Sequence, residues 1–129
     1  MKTLTIYLLA GPYTSEDTDI ALQMCEKALQ KGYGVNLFLY MDGVHVPKIS
    51  QKTAKFPNVE DRVVKLIRLG LNVKACVRCA AARGYVEGEQ DEKTGIFPSR
   101  QYVEGAYITS IYDFPDWMKT SDKVIVFGE

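Results

Sequence analysis

The chain has no net charge, a single histidine, only three cysteines and no long apolar run. Each scarcity excludes something. Sixteen lysines and arginines balance sixteen aspartates and glutamates, so nothing electrostatic asks for direct contact with a nucleic-acid backbone. No stretch approaches the ~20 apolar residues of a membrane span. The opening ten residues hold one lysine and an interrupted apolar stretch, run straight into Gly11-Pro12 and show no small-x-small cleavage site. They read as a first strand rather than a leader, and the expected compartment is the cytoplasm. Three cysteines are an odd number and too few for a disulfide scaffold. With His45 alone and no second Cys-x-x-Cys, the pair Cys76 and Cys79 falls short of the four ligands of a structural zinc. Residues 11–15 lack the Gly-x-Gly-x-x-Gly pattern and a Walker lysine, which disfavours a nucleotide site. No metal and no organic cofactor are expected.

What is present is an ordinary globular balance, 47% hydrophobic and 25% charged over 129 residues, which predicts one domain spanning 1–129. Strand and helix alternate along it. Residues 4–9 suit a buried strand. Thr14 or Ser15 caps a helix whose first turn carries Glu16, Asp17 and Asp19, and Lys31-Gly32 closes it. Residues 33–40 form the second strand, ended by a turn at Met41-Asp42-Gly43. Residues 46–58 read as a long loop. Asn58 caps a helix with Val59, Val63, Leu66 and Ile67 on its apolar stripe, ended by Gly70. Residues 71–75 are the third strand, and 76–84 a short alanine-rich helix. A polar surface segment over 87–101 leads to a fourth strand at 106–110. Asp113 is expected to cap a helix through Lys119 with Trp117 facing inward, and residues 123–127 make the last strand. Strands separated by helices imply parallel crossovers and a three-layer α/β/α sandwich. Ligands in such folds gather at the C-terminal ends of the strands, where the loops 11–15, 42–46 and 76–79 meet.

Cys76 stands where the third strand passes into a helix. Backbone N–H groups and the positive end of a helix dipole favour a thiolate there. Arg78 adds a cation nearby. Cys79 follows one helical turn on, so the two thiols are placed to face each other, which permits a disulfide, or release of sulfur carried on one by attack of the other. Tyr13, Thr14 and Asp42 are expected to shape the pocket, although aspartate before glycine also simply makes turns. His45 is a minority candidate for a base, since a lone loop histidine is more often solvated. Cys25 lies on an apolar helix face and reads as structural.

The segment Cys76-Val77-Arg78-Cys79-Ala80-Ala81-Ala82-Arg83-Gly84 resembles the cysteine segment of the DsrE/TusD family. Gly11-Pro12-Tyr13-Thr14, Phe38-Leu39-Tyr40-Met41-Asp42-Gly43-Val44 and Ser121-Asp122-Lys123-Val124-Ile125-Val126-Phe127-Gly128 match in order and spacing. The resemblance implies a DsrE-like fold with a five-stranded parallel sheet. It also implies homo-oligomers or hetero-oligomers with related subunits, and a sulfur-relay role in which sulfur is accepted as a persulfide and handed on. The family's sulfur-carrying cysteine falls on Cys76. Cys79 is a departure from the relay members and belongs more to stand-alone ones.

The reading is therefore a sulfur carrier or sulfurtransferase subunit. Its partners would be a sulfur donor protein and an acceptor protein thiol. Two alternatives stay open: a dithiol redox protein using Cys76 and Cys79, and a non-catalytic assembly subunit.

Overall fold

The computed structural model describes residues 1–128. The strands are β1 (Thr3–Leu8), β2 (Gly34–Leu39), β3 (Asn72–Cys76), β4 (Ala106–Thr109) and β5 (Lys123–Phe127), and the helices are α1 (Glu16–Gln30), α2 (Val59–Arg68), α3 (Val77–Ala82) and α4 (Asp113–Thr120). All strand pairings are parallel, in the order β4-β3-β2-β1-β5.

Local chemistry sets these boundaries. The Ser15 hydroxyl accepts from the Asp17 N–H at 3.2 Å and caps α1. Asn58 Oδ1 accepts from the Asp61 N–H at 3.0 Å and caps α2. Both helices close on a glycine in the left-handed region, Gly32 (φ +84°) and Gly70 (φ +112°). In each the next residue donates back into the last turn, Tyr33 N–H to the Ala28 carbonyl and Leu71 N–H to the Leu66 carbonyl, both at 3.0 Å. The helix ends are thereby saturated and the chain is turned into the next strand.

The expected Asp113 cap is not made. The N-cap of α4 is Tyr112, with no side-chain cap bond. Asp113 lies inside the first turn and its carboxylate takes Lys74 Nζ at 3.0 Å instead. A cation on β3 outcompetes the local amides for that oxygen, which sequence spacing cannot register. The turn expected at Met41-Asp42-Gly43 is a 3-10 turn over Met41–His45. Gly43 is required there, because a Cβ would run into the Leu8 carbonyl oxygen. Cys76, expected to open the helix, is the last residue of β3 as well as the N-cap of α3.

Register divides the sheet into two unlike faces. Leu4, Ile6 and Leu8 line up with Val35, Leu37 and Leu39, and these with Val73 and Ala75, on the buried face under α1 and α2. The other face carries a polar ladder at one end. Asn72 Nδ2 donates to Asn36 Oδ1 at 3.0 Å, Asn36 Nδ2 to Thr5 Oγ1 at 3.2 Å, and Thr5 shares a hydrogen with Ser121. Further along it is aromatic. Phe114 of α4 stacks on Tyr7 at 4.2 Å, and Trp117 meets Phe38 edge-on at 6.2 Å. Trp117 also lies under the Lys74 ammonium.

The first three crossovers step one way across the sheet and the last returns past β1. Right-handed connection then sends α4 to the face opposite α1 and α2. The two polar excursions protect the far edge. The segment 87–101 folds back on itself, with Glu87 N–H on the Pro98 carbonyl and Asp91 N–H on the Ile96 carbonyl. Phe97 pairs antiparallel beside Ile108 of β4, so that edge is covered. The loop 46–58 is bound to it through Val103 N–H to the Pro47 carbonyl and Ile49 N–H to the Gln101 carbonyl. Among the described residues no helix is long and apolar enough to cross a membrane.

Candidate functional site

Two free thiols meet at the C-terminal end of β3. Cys76 is 0% exposed and Cys79 6%. Both belong to α3, Cys76 as its N-cap and Cys79 three residues on, and Cys76 is near enough to help push the Cys79 thiol up. The arrangement differs from the expected one in one respect. The Cys76 side chain makes no cap hydrogen bond with the α3 amides, and α3 is only six residues long.

The amide that does address the pair comes from elsewhere. Met41, with φ of 50°, brings its backbone near enough to Cys79 to hold that thiol's pKa down. Met41 is 46% exposed. Burial pushes the Cys79 thiol above its usual range. The Met41 amide and the Arg83 charge work against that shift, and Cys76 adds to it. The phenol of Tyr7 faces the same pair. Burial first, then Tyr40 and the two cysteines, push it up to about 12. Tyr7 stacks in turn on Tyr40 and Phe38, so an aromatic wall backs the thiols.

The cation of the site is Arg83. Its Nε donates to Asp42 Oδ1 at 2.9 Å and a terminal nitrogen donates to the Cys79 carbonyl at 3.1 Å. One guanidinium thus clamps the cysteine helix to the Met41–His45 turn. Arg78, the cation expected from sequence, is exposed and forms no ion pair among the described residues. A signal for Arg83 existed: it lies four residues, one helical turn, beyond Cys79.

His45 is placed beside Asp42 but directed away from the thiols. Its Nδ1 is 2.6 Å from the Tyr85 hydroxyl and its Nε2 3.9 Å from Asp42 Oδ1. Burial lowers the imidazole pKa and raises that of the Tyr85 phenol. The phenol and the imidazole thus share one hydrogen bond in a half-buried setting. Tyr85 packs against Tyr102, whose hydroxyl donates to the Val44 carbonyl at 2.6 Å.

Tyr13 is engaged elsewhere. The Tyr13 hydroxyl donates to Gln51 Oε1 at 2.6 Å and accepts from the Val59 N–H at 2.9 Å. With Thr14, Phe56 and Arg62 it lines a separate cleft of about 400 Å³ at the N-terminal ends of α1 and α2. The structure thus brings together Cys76, Cys79 and Asp42, with His45 at their margin. Tyr13 is not among them, Thr14 borders Asp42 across Gly11, and Arg83 is the residue that sequence reasoning quoted without using. Cys25 is buried in the core, its thiol raised to about 12 by that burial. Among the described residues no three His, Cys, Asp or Glu side chains gather where they could share a metal ion.

An all-parallel sheet with helices on both faces and two free cysteines at one strand end defines an α/β protein. The chain belongs to the DsrE/DsrF-like family, which it matches over residues 2–127. It is 32% identical over 127 residues to an uncharacterised protein of Methanopyrus kandleri, covering 98% of this chain and 95% of that one. It is 28% identical over 127 residues to the proposed sulfurtransferase DsrE of Allochromatium vinosum, covering 92% and 93%. The crystal structure of the ychN protein from E. coli shares the fold, with a TM-score of 0.76 at 24% identity over 98% of this chain and all of the other.

Proposed function

We propose that this chain is a sulfur carrier that takes sulfur as a persulfide on Cys76 and passes it to a protein thiol. The observation that carries the reading is the pair of free, neighbouring cysteines at the end of β3. The name of the Allochromatium vinosum relative, a sulfurtransferase, supports it. In the loading step the Cys76 thiolate attacks the outer sulfur of a donor persulfide. The donor S–S bond breaks as the new one forms, the donor leaves as its thiol with the proton Cys76 gave up, and no net oxidation occurs. Since Cys76 is fully covered, loading requires the chain around it to open. The partners are a donor protein and an acceptor protein, the setting is the cytoplasm, and the working form is an oligomer.

The contact between the two thiols supports a second reading, a dithiol redox protein. Intact-mass measurement after incubation with glutathione persulfide separates the two. The carrier gains the mass of one sulfur atom, retained in Cys79→Ala and lost in Cys76→Ala. A mass loss of two hydrogens, abolished by either substitution, establishes the redox reading. No change in any of the three proteins leaves a non-catalytic assembly subunit.

A further inference from the structure

The sheet holds one buried hydroxyl with nothing to bond, and it lies beside Cys76. Thr109 is 3% exposed, and its Oγ1 is the single buried side-chain oxygen or nitrogen without a partner among the described residues. The other buried threonines are satisfied: Thr18 donates to the Gly11 carbonyl at 2.8 Å, and Thr5 is in the polar ladder. An orphaned buried hydroxyl is costly and uncommon, so a specific one calls for a reason. Thr109 is the register partner of Cys76 across the β3–β4 pair. Register partners on neighbouring strands project to the same face, with backbones about 4.8 Å apart.

We propose that Thr109 donates a hydrogen bond to the outer sulfur of a persulfide on Cys76. This rests on the carrier reading and adds a sulfur-binding residue to it. A buried thiol asks little of its surroundings, being a weak donor and acceptor. A persulfide is more acidic than the thiol it comes from and places a charged sulfur one bond further out. That charge is expensive in a water-free site unless a donor meets it. The nearby cation is engaged, since Arg83 serves Asp42 and the Cys79 carbonyl. Cys76 receives no bond from the α3 amides. The Tyr7 phenol also faces the thiols, but the Thr109 hydroxyl is the fully buried donor on the same face with no partner of its own.

The test compares Thr109→Val and Thr109→Ser with the parent chain, using glutathione persulfide as the probe. Thr109→Val keeps the shape and removes the hydroxyl. Its unloaded form is expected to unfold at the same urea concentration as the parent or a higher one. The fraction persulfidated at equilibrium, read by intact mass, should fall about tenfold, the weight of one hydrogen bond to a charged group. Thr109→Ser should load as the parent does. Full loading of Thr109→Val overturns the proposal, and so does an unfolding midpoint below the parent's, which would mean the hydroxyl already has a partner. If the parent gains no sulfur, or Cys76→Ala gains it equally, the carrier reading itself has failed and the proposal falls with it.

Discussion

His45 shows how much a single residue depends on partners far along the chain. Its sequence neighbours suggest a solvated loop histidine, while Tyr85, forty positions on, holds Nδ1. Burial depresses its pKa below 6.5, with Arg83 and Lys48 pushing the same way and Asp42 opposing. The unfolded chain therefore binds a proton at a pH where the folded chain does not, and stability must rise with pH across that interval. The contribution is complete above about pH 6.5 and is lost as pH falls through the lower, folded value. Urea midpoints should drop between about pH 7.5 and 5.5 in the parent, and by less in His45→Gln. Equal slopes would show that the imidazole titrates alike in both states. The identity of Cys76 as the first candidate was legible in sequence, because strand, cysteine and alanine-rich helix are local signals. Arg83 as the cation and Thr109 as the neighbour were not, since an ion pair across 41 positions and a β3–β4 register are products of the assembled sheet.

At the scale of elements, the alternation of strands and helices was readable because caps and glycine closures are short-range chemistry. The error at Asp113 has the same root. A local cap was assumed where a long-range ion pair to Lys74 wins the carboxylate. The loop 46–58 looked free in sequence, yet it is bonded into the fold through Asn58, which caps α2 with its carbonyl and donates from its amide to the Gln51 carbonyl at 2.9 Å. Those two bonds can be separated. Asn58→Ala loses both and should cost about 1–2 kcal/mol, seen as a lower urea midpoint with unchanged slope. Asn58→Asp keeps the cap, gains a favourable charge at the helix start and loses only the bond to the loop, so its loss should be smaller. If the two variants are equally destabilised, the loop tie and not the cap carries the energy.

Over the whole molecule, parallel strands and three layers followed from the order of elements, but the strand order did not, and it is strand order that leaves one face half-covered. α1 and α2 bury one side of the sheet. The opposite side has only α4, none of whose eight residues is fully buried. Register places Val126 beside Tyr7 and Tyr107 beside Lys74 on that side, and both are exposed, as are Met118 and Tyr112 near them; Val126 is 59% exposed. A near-neutral chain with such a surface has little to keep copies apart, and a second copy is the occupant expected for it. Light scattering should give a mass that is a multiple of one chain, and Val126→Asp should lower it without lowering the unfolding midpoint of the dissociated chain. A single-chain mass for the parent at micromolar concentration would refute this. Cys76 and Thr109 lie buried on that same side of the sheet, so association there bears on access to them. Val126→Asp should then also change the rate at which glutathione persulfide reaches Cys76, although two strands, β2 and β1, lie between residue 126 and it.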